Sequence, residues 1–265
     1  MIWWSSRENP YNHNSRGDVW HTKTHCWLTF ALIVFIFSYD SMLHIIPTPI
    51  GNKEDITLRA LRLLRELPVI LCEDVLTTKK LMNLYEIDYK STNKQFFTFN
   101  SFLSQRQWDS TIDLVRTSDV WLVSEAGTPW LSDPAKELVR QCRIHHLPFE
   151  VLPWANALIP TVVASNRDTT QFTFIWFLPK KKGRQTALKS LIASDYPVYF
   201  YESVHRIAKT IEELKTLWFV WQIMIGRELT KLHEQYVYGD GDEILSKIID
   251  KQIPLKGEFV VWVKK

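Results

Sequence analysis

Two short stretches hold the side chains best suited to proton transfer. In Phe200-Tyr201-Glu202-Ser203-Val204-His205-Arg206, four polar groups directly follow an apolar run. The other stretch is Gly226-Arg227-Glu228-Leu229-Thr230-Lys231. A carboxylate, imidazole or amine held beside a hydroxyl can take its proton. Glu202, Glu228 and Lys231 are therefore the candidate catalytic residues, with His205 weighed beside them. The same spacings suit structural ion pairs equally well, Glu202 with Arg206 and Glu228 with Lys231.

Three further segments are rich in small residues, prolines and turn formers: Pro47–Asn52, Val123–Pro134 and Leu152–Ala157. Small residues after a strand let a ligand lie against bare main chain, and Ser124, Thr128 and nearby N–H groups suit a carboxylate or a ribose. Lys180-Lys181-Lys182-Gly183-Arg184 precedes a helical stretch, where side-chain charge and a helix N-terminus together favour phosphate. A solvated basic loop is the plain alternative. Neither GxxxxGK[ST] nor GxGxxG occurs, so the phosphate-cradling loop and the standard dinucleotide fingerprint are both excluded. Cys26, Cys72 and Cys142 lack metal spacing and argue against a zinc site or a disulfide scaffold. A reduced, intracellular protein is expected. The net charge of +3 over 265 residues does not by itself announce nucleic acid.

These loops need a scaffold, and the hydrophobic pattern supplies one. From Met42 onward short apolar runs alternate with amphipathic stretches. Strands are expected at Leu43–Pro47, Val69–Cys72, Phe96–Phe99, Val120–Val123, Phe149–Leu152, Phe172–Trp176, Val198–Tyr201, Gln222–Ile225, Tyr236–Tyr238 and Glu258–Val263. Helices are expected at Asp55–Leu67, Thr77–Tyr85, Ser104–Arg116, Ala135–His145, Ala155–Ser165, Arg184–Ala193, Val204–Leu217 and Glu243–Ile249. Such alternation means an α/β fold. The polar stretch Asn166–Thr170 marks a boundary between an N-terminal domain, 42–166, and a C-terminal domain, 167–265. Residues 1–41 stand apart. They hold an eleven-residue apolar run, Trp27–Phe37, short of the roughly 20 residues a membrane span needs. This extension is expected to be disordered or a translation artefact upstream of a start at Met42.

The motifs PTPIGN, SEAGTP, FLPKKKGR, FYESVHR and GRELTK follow one another in this order between residues 47 and 231. Together they resemble the tetrapyrrole methylase superfamily, and within it the bacterial small-subunit ribosomal RNA 2′-O-ribose methyltransferase I family. The resemblance implies two α/β domains with S-adenosylmethionine (SAM) in the interdomain cleft, a homodimer, no metal and no stable membrane association. It also implies a cytoplasmic enzyme acting on a ribose of 16S rRNA in the 30S subunit. Carried onto this chain, it assigns Pro49, Gly51, Ser124, Ala126, Gly127, Thr128, Pro153, Trp154 and Ala155 to the cofactor. Lys180, Lys181, Lys182, Arg184, His205 and Arg206 fall to RNA. Two other readings stay open, a methylase of a tetrapyrrole or other small ligand and a catalytically silent RNA-binding relative.

The chain departs from the pattern in two ways. Val75-Leu76 replaces the family's Thr-Arg after Glu73-Asp74, and Phe97-Thr98-Phe99-Asn100-Ser101 replaces a His- and Glu-containing stretch. In addition, Trp130, Trp154 and Trp176 stand where the family has glycine. With 8 Gly and 12 Trp, the two residues together reach the share that glycine alone usually holds, about 7%. A genetic code that reads UGA as glycine accounts for both observations; genuine divergence of the chain is the alternative.

Overall fold

The computed structural model describes residues 41–100, 102–127, 135–153, 155–166, 170–217 and 222–264. Thr128, Trp130 and Trp154 lie outside them, as do residues 1–40 and most of the expected boundary segment.

The first half builds strands β1 (Leu43–Ile46), β2 (Val69–Cys72), β3 (Gln95–Thr98), β4 (Val120–Val123) and β5 (Phe149–Val151). Helices α1 (Leu58–Glu66), α2 (Val75–Leu84), α3 (Gln105–Thr117) and α4 (Ala135–Ile144) alternate with them. The strands form one parallel sheet in the order β3-β2-β4-β1-β5. Every residue of β1, β2 and β4 is buried. A parallel sheet covered on both faces needs such unbroken apolar strands. Leu43, Ile45, Leu71 and Leu122 meet Val115, Leu138 and Cys142 on one face. Ile70, Trp121 and Val123 meet Leu63, Leu64 and Met82 on the other.

Side chains start these helices. The Thr57 hydroxyl accepts from the Ala60 N–H, and Asp74 accepts from Thr77. Ser104 and Gln107 form a capping box. Asp55, expected as the first cap, lies instead in a short 3-10 turn, Lys53–Asp55. Thr57 is three residues from the N–H it satisfies, the spacing an N-cap needs.

The second half contributes α5 (Leu158–Ala164), β6 (Thr173–Phe177), α6 (Arg184–Ile192), β7 (Val198–Ser203), α7 (Ile207–Leu217), β8 (Gln222–Arg227), β9 (Gln235–Gly239), α8 (Gly241–Ile249) and β10 (Glu258–Lys264). Its sheet runs β6-β7-β10-β8-β9. The β6–β7 pair is parallel and the other pairs are antiparallel. Phe200, Ile225 and Val261 pack beneath Leu188, Ile211 and Ile244 of the three helices. Tyr199, Met224 and Trp262 face Val162 of α5 on the opposite side.

Candidate active-site cleft

A cleft of about 970 Å³ opens where the strand ends of both sheets meet. The parallel sheet reaches it through loops that follow carboxyl ends of strands, the usual ligand position in open α/β sheets. Ile50 comes from the loop after β1, Glu73 from that after β2, Asn100 and Phe102 from that after β3, and Ser124–Gly127 from that after β4.

The loops after β1 and β4 are knitted together at the topological switch. Thr48 N–H donates to the Gly127 carbonyl at 2.9 Å, and Gly127 N–H returns a bond to Thr48 at 3.1 Å. The Ser124 hydroxyl donates to the Gly127 carbonyl at 2.9 Å, closing the turn from inside. Gly127 has φ +75°, a conformation glycine adopts at little cost. Ala155–Leu158 completes this wall.

Of the residues assigned to the cofactor, Ser124, Ala126, Gly127 and Ala155 line the cleft. Pro49 and Pro153 flank lining residues without lining it. Gly51 adjoins the lining residue Ile50. A Cβ there would stand 2.4 Å from the Lys231 Cγ, so the bare glycine lets the loop after β8 pack against the loop after β1. Asn52 N–H donates to the Thr230 hydroxyl at 3.2 Å across the same junction.

The mixed sheet reaches the cleft through side chains. Lys231 lines it, with Nζ 2.8 Å from a Glu258 carboxylate oxygen and 3.0 Å from a Glu228 oxygen. Glu228 does not line the cleft. It accepts from the Glu258 N–H at 3.0 Å, its φ is +50°, and a Cβ on Gly257 would stand 2.3 Å from its Cδ. Thr230, at φ +69°, is a second left-handed residue in this loop. Such conformations cost about 1–3 kcal/mol each and gather at functional sites.

Burial alone would raise the Glu228 carboxyl, yet the Lys231 ammonium and the Glu258 N–H hold it below its ordinary range. Burial alone would lower Lys231, yet hydrogen bonds to Glu258 and Glu228 hold it above the ordinary lysine value. The loop therefore presents a firmly protonated cation. Burial, together with the nearby Glu258 charge, pushes the Tyr201 phenol up to about 12.

Glu202 lines the cleft between Tyr201 and Ser203, its carboxylate held in a network of hydrogen bonds. It is 1% exposed. Its oxygens receive Arg206 at 2.6 Å, the Thr210 hydroxyl at 2.7 Å and the Ser203 N–H at 2.8 Å. Arg184 and Arg206, assigned to RNA, face inward as well. Arg184 is 7% exposed and clamps Glu213 at 2.5 Å and Thr210 at 2.7 Å. Arg206 also donates to the Leu178 carbonyl at 2.9 Å. These two guanidiniums neutralise a buried carboxylate and tie the loops after β6 and β7 together. Lys180, Lys181, Lys182 and His205 are exposed on those same loops.

Sequence reasoning missed the aromatic wall of Phe174, Trp176, Phe177 and Tyr201, whose rings meet mainly edge to face at centroid distances of 4.9–6.0 Å. It also missed Glu258. The signal was there in Lys256-Gly257-Glu258, a glycine beside a charge at a strand start. Among the described residues no group of three or more His, Cys, Asp or Glu could hold a metal, and no helix is long and apolar enough to cross a membrane.

A parallel sheet and a mixed sheet meeting at one cleft, with a glycine-bearing switch loop on one side, is a methylase architecture. The chain belongs to the Tetrapyrrole (Corrin/Porphyrin) Methylases, whose family model matches residues 42–245. It is similar to the Ribosomal RNA small subunit methyltransferase I of Hydrogenobaculum sp. (strain Y04AAS1), 37% identical over 84% of this chain and 95% of that protein. The Thermotoga maritima protein of the same name is 36% identical over 82% of this chain and 95% of its own length. Among solved structures, a cobalt precorrin-4 methyltransferase shares the fold at TM-score 0.58 and 16% identity, covering 83% of this chain and 94% of the other. A uroporphyrin-III C-methyl transferase from Thermus thermophilus, complexed with S-adenyl homocysteine, shares it at TM-score 0.53 and 16% identity, covering 84% and 97%.

Proposed function

We propose that the protein methylates a ribose 2′-hydroxyl of 16S rRNA, within the 30S subunit, using SAM. The observation that carries this reading is a protonated lysine, Lys231, set in a cleft also lined by the small residues Ala126, Gly127, Ala155 and Ala157. The small-subunit methyltransferase relatives, matched along almost their whole length, supply the substrate class.

The residues present fit SAM. Ala126, Gly127, Ala155 and Ala157 keep side chains off the wall, and the Gly127 backbone is already fixed by Thr48 and Ser124. When bound, SAM supplies an electrophilic methyl group that an incoming oxygen takes as the carbon–sulfur bond breaks, leaving S-adenosylhomocysteine. The chain's part is orientation and proton handling. Lys231 holds the hydroxyl oxygen or an adjoining phosphate by charge. Glu258, at the cleft and in contact with Lys231, accepts the hydroxyl proton as the new carbon–oxygen bond forms. Glu228 positions Lys231 through their hydrogen bond, and Glu202 positions the loop that carries His205. Lys180, Lys181 and Lys182, exposed beside that loop, receive RNA phosphates.

The same reading treats 42–166 and 167–265 as two domains, and the protein as a cytoplasmic homodimer. Light scattering checks the last point. A second reading, methylation of a tetrapyrrole, draws on the aromatic wall. Incubating the protein with labelled SAM and either 30S particles or a porphyrinoid decides between them. Label is expected in the RNA ribose. Label in the porphyrinoid alone overturns the proposal, as does RNA binding with no transfer at all.

A further inference from the structure

Two exposed phenylalanines line the cleft, one from each half of the molecule. Phe102, from the parallel-sheet half, is 92% exposed, and Phe177, from the mixed-sheet half, is 43% exposed. Both line the same cavity. Neither is an accident of a loose loop. The Phe102 N–H donates to the Asn100 side chain at 2.9 Å. Phe177 is braced by Tyr201 at a centroid distance of 5.8 Å. Three residues beyond Phe177 come Lys180, Lys181 and Lys182, all exposed. Aromatic faces beside a cationic track match an unstacked nucleotide, because every base has a π-face and every linkage a phosphate.

The cavity's size points the same way. Small-molecule pockets run from about 300 to 1,000 Å³, so a cleft of about 970 Å³ has room for a nucleotide beside the methyl donor. Lys231 lines the same cleft. A nucleotide that leaves its stack to enter loses stacking in the RNA and regains it on protein rings.

We infer that Phe102 and Phe177 are a specificity pair that grips the base of the nucleotide being methylated, held extruded from its stack. The inference rests on the RNA reading above and adds how the substrate is held. It is a claim about substrate recognition, so the effect belongs in KM for RNA and not in cofactor affinity.

The test uses the full chain with Phe102→Ala and Phe177→Ala, and with Phe102→Tyr and Phe177→Tyr as rescues. On 30S particles each alanine variant is expected to raise KM about tenfold, with kcat and SAM affinity unchanged, and each tyrosine variant to restore it. In a binding arm, wild type is expected to prefer a short single-stranded RNA over an abasic ribose-phosphate strand of equal length. The double alanine variant is expected to lose that preference. Equal binding of both strands by wild type overturns the inference. So does a loss of SAM affinity in the variants, or a change of oligomeric state with RNA binding intact. If wild type transfers no methyl group to 30S particles, the proposed reaction falls, while the comparison of base-bearing and abasic strands still decides whether the rings grip a base.

Discussion

Around β1 and β4 the parallel sheet meets the cleft with main chain and small residues, and the mixed sheet meets it mainly with charged and aromatic side chains. On the first side the loops after β1 and β4 exchange backbone hydrogen bonds, and the wall carries alanines and a left-handed glycine. On the second, the wall is built from ion pairs and rings: Glu202 with Arg184 and Arg206, Lys231 with Glu228 and Glu258, Tyr201 with Phe174. A backbone wall recognises a ligand through fixed N–H and C=O groups. A side-chain wall must first hold its own charges in place, so Arg184 and Arg206 turn toward Glu202 while Lys231 and Glu258 line the cleft as a pair.

This contrast can be broken at several points. The largest effect is expected at Glu202→Ala, which leaves Arg206 without its carboxylate and the Thr210 hydroxyl without its acceptor, while Arg184 keeps Glu213. Breaking such a pair costs about 3–5 kcal/mol, and urea denaturation measures it. A loss under about 1 kcal/mol would mean that the network is screened like a surface pair. Lys231→Ala comes next. Its kcat on 30S particles is expected to fall about a hundredfold with SAM affinity retained, and Glu258→Gln is expected to follow it.

Gly127→Ala sharpens the other side of the comparison. Forcing a Cβ to a positive φ costs about 1–2 kcal/mol, and SAM affinity by calorimetry is expected to drop with stability. Gly183, at φ +81° with open space around its Cα, serves as the control. Gly183→Ala carries the same strain and is expected to leave SAM binding alone.

The smallest effect is a pH dependence of Glu228→Gln. The Glu228 pKa is depressed below 4.5, so its stabilisation is complete above that value and disappears as pH falls through the lower folded pKa. The Lys231 pKa is raised above 10.5, so its share is complete below that value and disappears as pH rises through the higher one. Thermal melting of the variant is expected to show a deficit below about 1 kcal/mol at neutral pH, closing in acid.

Every strand and helix expected from periodicity is present, because unbroken apolar runs and alternating amphipathic stretches have one way to be buried together. Ends shifted by one to three residues where capping side chains took over, as Thr57 did from Asp55 and Asp74 did ahead of Thr77. The main-chain wall was legible too, since Ala126, Gly127 and Ala155 are small for a reason that acts locally. The charged residues were less so. Glu202 and Arg206 are the i,i+4 pair that spacing allowed, and only the packing of α6 and α7 against β7 reveals that both are buried. Tryptophan remains the sharpest oddity. Trp121 is 0% exposed in the central strand β4, with an indole N–H that finds no partner among the described residues, an arrangement that costs about 1–3 kcal/mol. Peptide mass spectrometry of the protein from its native source is expected to show glycine at 121 and 176. Tryptophan there would overturn the recoding.

The amino-acid order by itself determined the element succession, the α/β class and the loops where main chain lies bare, because these follow from burial and backbone freedom within a few residues. Tertiary structure alone decided which charges face the cleft. A carboxylate's role depends on partners far along the chain: Lys94 caps α1 by donating to the Arg65 and Leu67 carbonyls, and Lys231 meets Glu258 across 27 residues. Those distances close only when the sheets form.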